Sequence, residues 1–162
     1  MMFKRSIIIF LLFFCSYINS QLRIEITEGI KDPVSIAIVP ISWNLDTPPE
    51  FYLDQVISKN LESFGEFSTL SPSNMLSFPS TEEEILYRDW NLLGVDYLVI
   101  GSATQGKDLL DVIVSFSIIN ITRKRVVKRS ISKGSSVFLK SLGHVMSDRI
   151  YKEINGIPGI FS

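Results

Sequence analysis

One imidazole, one thiol and one glycine-lysine turn are the groups with which this chain could do chemistry, and the surroundings of each narrow what that chemistry is. His144 is the only histidine, so a metal site or a histidine-based triad must be built around a single ring. Helical spacing puts it off the Leu142, Met146, Ile150 stripe and beside Asp148 at i+4, which suits an exposed ion pair on a helix surface. The alternative is general-base catalysis in a small exported hydrolase, which needs a hydroxyl nucleophile within hydrogen-bond reach. Gly101-Ser102-Ala103-Thr104-Gln105-Gly106-Lys107-Asp108 is similar to a phosphate-cradling loop after an apolar strand. It lacks two things: Asp108 stands where a hydroxyl would hold magnesium, and Leu109 to Ser117 continue as a strand and not as a helix. A hairpin turn is the reading. No paired carboxylates or serine elbow stand out, and Asn120-Ile121-Thr122 is a bare glycosylation tripeptide. The expectation is a protein that is not an enzyme, with no catalytic residue, cofactor or metal.

The first twenty residues, MMFKRSIIIFLLFFCSYINS, read as an export signal: Lys4 and Arg5, then the apolar run Ile7 to Phe14, then small and polar residues to Ser20. That run is too short for a hydrocarbon core needing about twenty residues, so a mature domain over residues 21–162 is expected, outside the cytoplasm and without membrane insertion after cleavage. The only cysteine, Cys15, lies inside this leader, and bulky Phe14 before it does not suit lipid attachment. Removing Lys4 and Arg5 takes the formal net charge from −1 to −3, which offers nothing to nucleic acid. Cations concentrate in one place, Arg123-Lys124-Arg125 with Lys128, Arg129 and Lys133. This basic cluster reads either as a guarded edge strand or as a patch for acidic surfaces or headgroups.

The elements that position these groups follow from periodicity. Leu22, Ile24 and Ile26 alternate with Arg23, Glu25 and Thr27 as a half-buried first strand, and Val34 to Val39 are apolar enough for a strand buried on both faces, ended by Pro40. Thr47-Pro48-Pro49-Glu50 predicts a helix start, with Leu53, Val56, Ile57, Leu61 and Phe64 as its stripe and Gly65 as its exit. Phe67 to Leu70 is a short strand, followed by a proline-broken loop to Pro79. Ser80 to Glu84 opens a second helix with Leu86, Trp90 and Leu93 inward, stopped by Gly94. Strands over Tyr97 to Ser102, Leu109 to Ile121 and Val126 to Ser132 form a meander. Ser135 or Ser136 caps a last helix with Leu142, Met146, Ile150 and Ile154 as its stripe, closed by Gly156 and Pro158. The order predicts an α/β (α+β) fold, a mixed sheet of about five to six strands with two or three helices packed on it.

Several strings, in order, resemble the N-terminal domain of the TolB family of the bacterial Tol-Pal envelope system. They are Arg23 to Gly29, Ile36 to Pro40, Leu61 to Phe67, Trp90 to Gly101, Gly143 to Tyr151 and Asn155 to Phe161. The resemblance covers essentially the whole chain beyond the leader. It implies a periplasmic, non-enzymatic module whose N-terminal segment engages the inner-membrane protein TolA, in support of outer-membrane integrity and cell division. In the family a β-propeller follows and binds the lipoprotein Pal; here Pal is expected only if a propeller is supplied elsewhere. An orphaned structural remnant of such a protein is the alternative. Ser141 and Gly143 depart from the family's pattern around His144. The residues themselves support a partner site at Gln21, Leu22, Arg23, Ile24, Glu25, Ile26 and Thr27. An alternating segment freed by cleavage can add to another protein's sheet, or it can complete its own.

Overall fold

The computed structural model describes residues 32–45 and 49–161. The leader and the predicted strand Leu22 to Thr27 lie outside the described residues. Six strands form one mixed sheet: β1 (Val34–Ile38), β2 (Ser42–Asn44), β3 (Phe67–Thr69), β4 (Tyr97–Gln105), β5 (Asp111–Asn120) and β6 (Arg125–Ser135). Among the described residues three helices pack on it: α1 (Leu53–Glu62), α2 (Tyr87–Leu92) and α3 (Leu139–Asn155). The sheet runs β3-β1-β4-β5-β6, with β1 parallel to β3 and β4, and β4-β5-β6 antiparallel. This is the expected α+β architecture.

β1 is buried on both faces, as its apolar run predicts: Ile36 and Ile38 belong to one core, Ala37 and Val39 to the other. Pro40 ends β1 but not the edge. Ile38 pairs with Val99 and Ser42 with Ser102, so four steps on one strand oppose three on β4. The chain jogs by one residue around the proline and rejoins the same neighbour as β2, which a reading of Pro40 as a terminator misses.

Three helix starts are corrected. α1 begins at Leu53, not at the Thr47-Pro48-Pro49 signal, because Tyr52 is extended (ψ 119°) and its carbonyl accepts the N–H of Val56 (3.3 Å). The apolar stripe wins over the cap chemistry. Ser80 to Glu84 does not open a continuous helix either. Glu82–Glu84 is a single 3₁₀ turn, with the Glu84 carboxylate accepting the N–H groups of Ser80 (2.7 Å) and Thr81 (3.4 Å). Ile85 then turns inward and Leu86 outward, and α2 starts one residue later. Burying Ile85 breaks the helix, because it lies out of phase with Trp90. α3 likewise starts at Leu139, after a 3₁₀ turn over Ser136–Phe138 that Ser135 caps through Val137 N–H (3.3 Å).

One core lies between the sheet and α1 with α3, where Leu53, Ile57, Leu61, Leu142, Met146 and Ile150 meet Val99, Val114, Phe116 and Ile118. The other lies under α2 and the turns before it, where Trp90, Ile85, Val95 and Met75 meet Leu98, Ile100, Ile119 and Ile121. Gly94 and Gly156 end α2 and α3 at φ +70° and +77°, a backbone region where a side chain would be strained.

Candidate functional site

The seam between α1 and α3 carries the only histidine. The two helices run parallel: Val56 and Leu53 lie against Gly143, Asn60 against His144 and Ser147. An added Cβ on Gly143 would lie 2.7 Å from Val56 Cγ1, so glycine is what allows the helices this close. His144 is half-buried here and not on the open helix surface. Asn60 Nδ2 donates to His144 Nδ1 (2.9 Å) and to Ser147 Oγ (2.9 Å), and Ser147 Oγ donates to Gly143 O (2.8 Å). Asp148 at i+4 accepts the N–H of Phe161 at 2.7 Å. In this seam the Ser147 hydroxyl is directed at the backbone and not at His144. The serine hydrogen goes to a carbonyl, and the imidazole nitrogen is taken up by an amide donor. A satisfied polar seam fixes how the two helices face each other, and Asn60, absent from the sequence reading, is its hub. Its helical spacing from Ile57 and Leu61 is the signal that could have found it.

At the far end of this seam Glu66 accepts the hydroxyl of Tyr151 (2.6 Å) and the amide of Asn155 (2.7 Å). The Glu66 hydrogen bond, with burial second, holds the Tyr151 phenol above its ordinary range. Phe161 packs edge-on against Phe64 (4.9 Å between ring centres) and near Tyr151 (6.0 Å), so the segment after α3 is folded back along it. Phe64 therefore packs from beyond the end of α1 and not from its stripe.

The loop that is similar to a phosphate cradle is a hairpin connection. Gly101 to Gln105 lie in β4, and Gln105 Nε2 donates to the carbonyls of Asp108 (2.9 Å) and Leu109 (2.6 Å), closing the turn on itself. The basic cluster falls on β6, which is an edge strand, and on the turn before it. Lys128 pairs with Glu153 (3.7 Å). Arg129 makes a two-pronged contact with Glu82, Nε to Oε1 at 2.7 Å and Nη2 to Oε2 at 2.6 Å, while Ser117 Oγ donates to Oε1 (2.9 Å). Arg129 holds the Glu82 carboxyl below the usual range. This clamp ties the 3₁₀ turn to two strands and borders a shallow groove of ≈ 750 Å³, with Ser102, Ser115, Ser117 and Ile131 on its floor. The predicted partner segment, Gln21 to Thr27, lies outside the described residues.

A mixed sheet with helices on both faces defines an α+β domain class. Within that class the chain belongs to the TolB family: the family model described as the TolB amino-terminal domain matches residues 22–127. The chain is 36% identical over 166 residues to the Tol-Pal system protein TolB of Marinomonas sp. (strain MWYL1), covering 100% of this chain and 38% of that protein. It is 32% identical over 144 residues to the protein of the same name from Alcanivorax borkumensis, covering 89% of this chain and 32% of the relative. Among solved structures, TolB from Acinetobacter baumannii superposes with a TM-score of 0.65 at 25% identity, over 80% of this chain and 30% of that one. The LpoB C-terminal domain from Salmonella enterica shares the fold alone, with a TM-score of 0.52 at 8% identity over 67% of this chain and 87% of that one. The chain thus spans about a third of the length of the TolB relatives it matches.

Proposed function

We propose that the chain works as a periplasmic protein-association module of the Tol-Pal system, with Gln21 to Thr27 as the segment that engages a TolA-like inner-membrane protein. The signal-like leader supports export to that compartment, and the alternation of Leu22, Ile24 and Ile26 supports strand addition to a partner's sheet. Pal enters only where a propeller is supplied, and the roles in outer-membrane integrity and division follow from the same assembly.

The observation that carries this reading is the family match. It begins at residue 22, so it takes in Leu22 to Thr27, on a domain that buries two cores among its described residues. The test is capture of the chain from Gln21 onward by an immobilised TolA C-terminal domain, beside the same chain lacking Gln21 to Thr27. Capture of the first and loss of the second is expected. Capture of neither, or equal capture of both, overturns the assignment.

A further inference from the structure

At the end of the sheet where β5 turns into β6, three consecutive cations stand on one tight turn. Asn120 pairs with Arg125 across the turn, Asn120 Oδ1 accepts the N–H of Arg123 (2.7 Å), and the N–H of Lys124 donates to Ile121 O (3.1 Å). Arg123, Lys124 and Arg125 are all exposed. Among the described residues the ion pairs of β6 are Lys128 with Glu153 and Arg129 with Glu82, and the three turn cations join neither.

Lys124 has a left-handed backbone, φ +50°, and among the described residues it is the one non-glycine residue with positive φ. Glycine or asparagine relieves such a position and a long side chain does not, so a charged side chain stands here on a strained backbone. The turn does not stand alone. Ile121 N–H donates to Asp96 O (2.9 Å), which sets the exit of α2 against it, and on α2 Arg88 and Leu92 are exposed one turn apart, Leu92 at 74%. On α2 Asp89 is half-buried, and after it exposed Asp96 accepts the N–H of Ser35 through Oδ2 (3.0 Å).

We propose that this end of the domain, Arg123, Lys124 and Arg125 with Arg88 and Leu92, is a contact surface for the phosphate-bearing headgroups of an anionic lipid membrane. Three exposed cations in a row on one turn meet a plane of phosphates together without shape matching. The chain as a whole is mildly acidic, formally −1, so a basic tip orients the domain toward an anionic surface. A single exposed leucine among the cations suits contact at headgroup depth and not insertion.

Among the described residues the sheet, both cores and the three helices lie in the compact unit from residue 32 onward, so the chain from Gln21 retains every one of them. It is sedimented with vesicles of phosphatidylglycerol and phosphatidylethanolamine, and with phosphatidylcholine vesicles as the neutral arm. Binding to the first, lost at high salt, with none to the second is expected. Lys124→Gly is expected to weaken binding about fivefold while the melting temperature holds or rises, since glycine relieves the turn. Adding Arg123→Gln and Arg125→Gln is expected to abolish binding, whereas Lys140→Gln at the opposite end of the sheet leaves it unchanged. Equal partition to both vesicle types, or full affinity in Lys124→Gly, overturns the proposal. So does capture of the turn by poly-glutamate in place of vesicles, which would assign it to an acidic protein. Loss of TolA capture leaves these readouts untouched, so the two proposals fail separately.

Discussion

The two faces of the sheet are covered in different ways. On one, α1 and α3 lie parallel and bury two apolar stripes, with Gly143 letting them close up and Asn60 pinning them through His144 and Ser147. On the other, the cover among the described residues is the 3₁₀ turns Pro72–Asn74 and Glu82–Glu84 and the six residues of α2, and one side chain, Trp90 at 1% exposure, fills much of the space. The first layer is held by many residues of similar weight, the second by one large anchor and the Glu82–Arg129 clamp at its rim. A layer of distributed contacts loses stability in steps; a layer hung on one residue loses it at once.

The largest expected effect follows from that contrast. Trp90→Ala should cost about 4 kcal/mol in chemical denaturation and remove hydrogen-exchange protection from residues 70–95 first, while Ile57→Ala should cost about 3 kcal/mol with no such local opening. Equal, global loss of protection in both would erase the distinction.

Next in size is Gly143→Ala, expected to destabilise by about 2 kcal/mol, because the new methyl falls 2.7 Å from Val56 Cγ1. Pairing it with Val56→Ala should give a smaller loss than the sum of the two single changes, and simple additivity would show that the helices are not held apart by that contact.

The smallest effects have opposite signs on the two layers. Asp54, 5% exposed in the first turn of α1 with Oδ1 unpartnered, has its carboxyl pushed above the usual 3.8 by burial. The native state then holds its proton longer than the unfolded chain does, so this group's contribution falls as pH rises from 3.8 through the folded value. Asp54→Asn should flatten that fall and stabilise the chain at neutral pH by about 1 kcal/mol. Glu82, held low chiefly by Arg129, contributes above the ordinary 4.5 and loses that contribution as pH falls through its folded value. Glu82→Gln should remove the acid-side loss in a pH-dependent melting series. Matching slopes for the two variants would contradict the assignment.

The same contrast decides what could be read in advance. Leu53, Ile57 and Leu61, and Leu142, Met146 and Ile150, repeat at helical spacing, so both long helices and their inward faces are visible in the amino acids alone. The β4-β5-β6 meander is visible in the same way. β2 is not, because three residues carry no period and Pro40 reads as an end. The break before α2 is hidden because Glu82 to Glu84 favour a helical first turn, while Ile85 needs to turn inward against Trp90's phase. The seam around His144 depends on which face of α3 meets α1, a tertiary fact that spacing within one helix does not contain. The edge position of β6 was legible from its cations, but the partner of each cation was not: Glu82 lies 47 positions away from Arg129.

We propose that Gln21 to Thr27 does the recruiting and that the chain folds without it. That claim is tested most directly by titrating a synthetic Gln21 to Thr27 peptide against the TolA C-terminal domain, alongside thermal melting of the chain with that segment deleted. The expected result is that the peptide competes the whole chain off TolA while the deleted chain melts at an unchanged temperature. A peptide that does not compete, or a deleted chain that no longer folds, would contradict it.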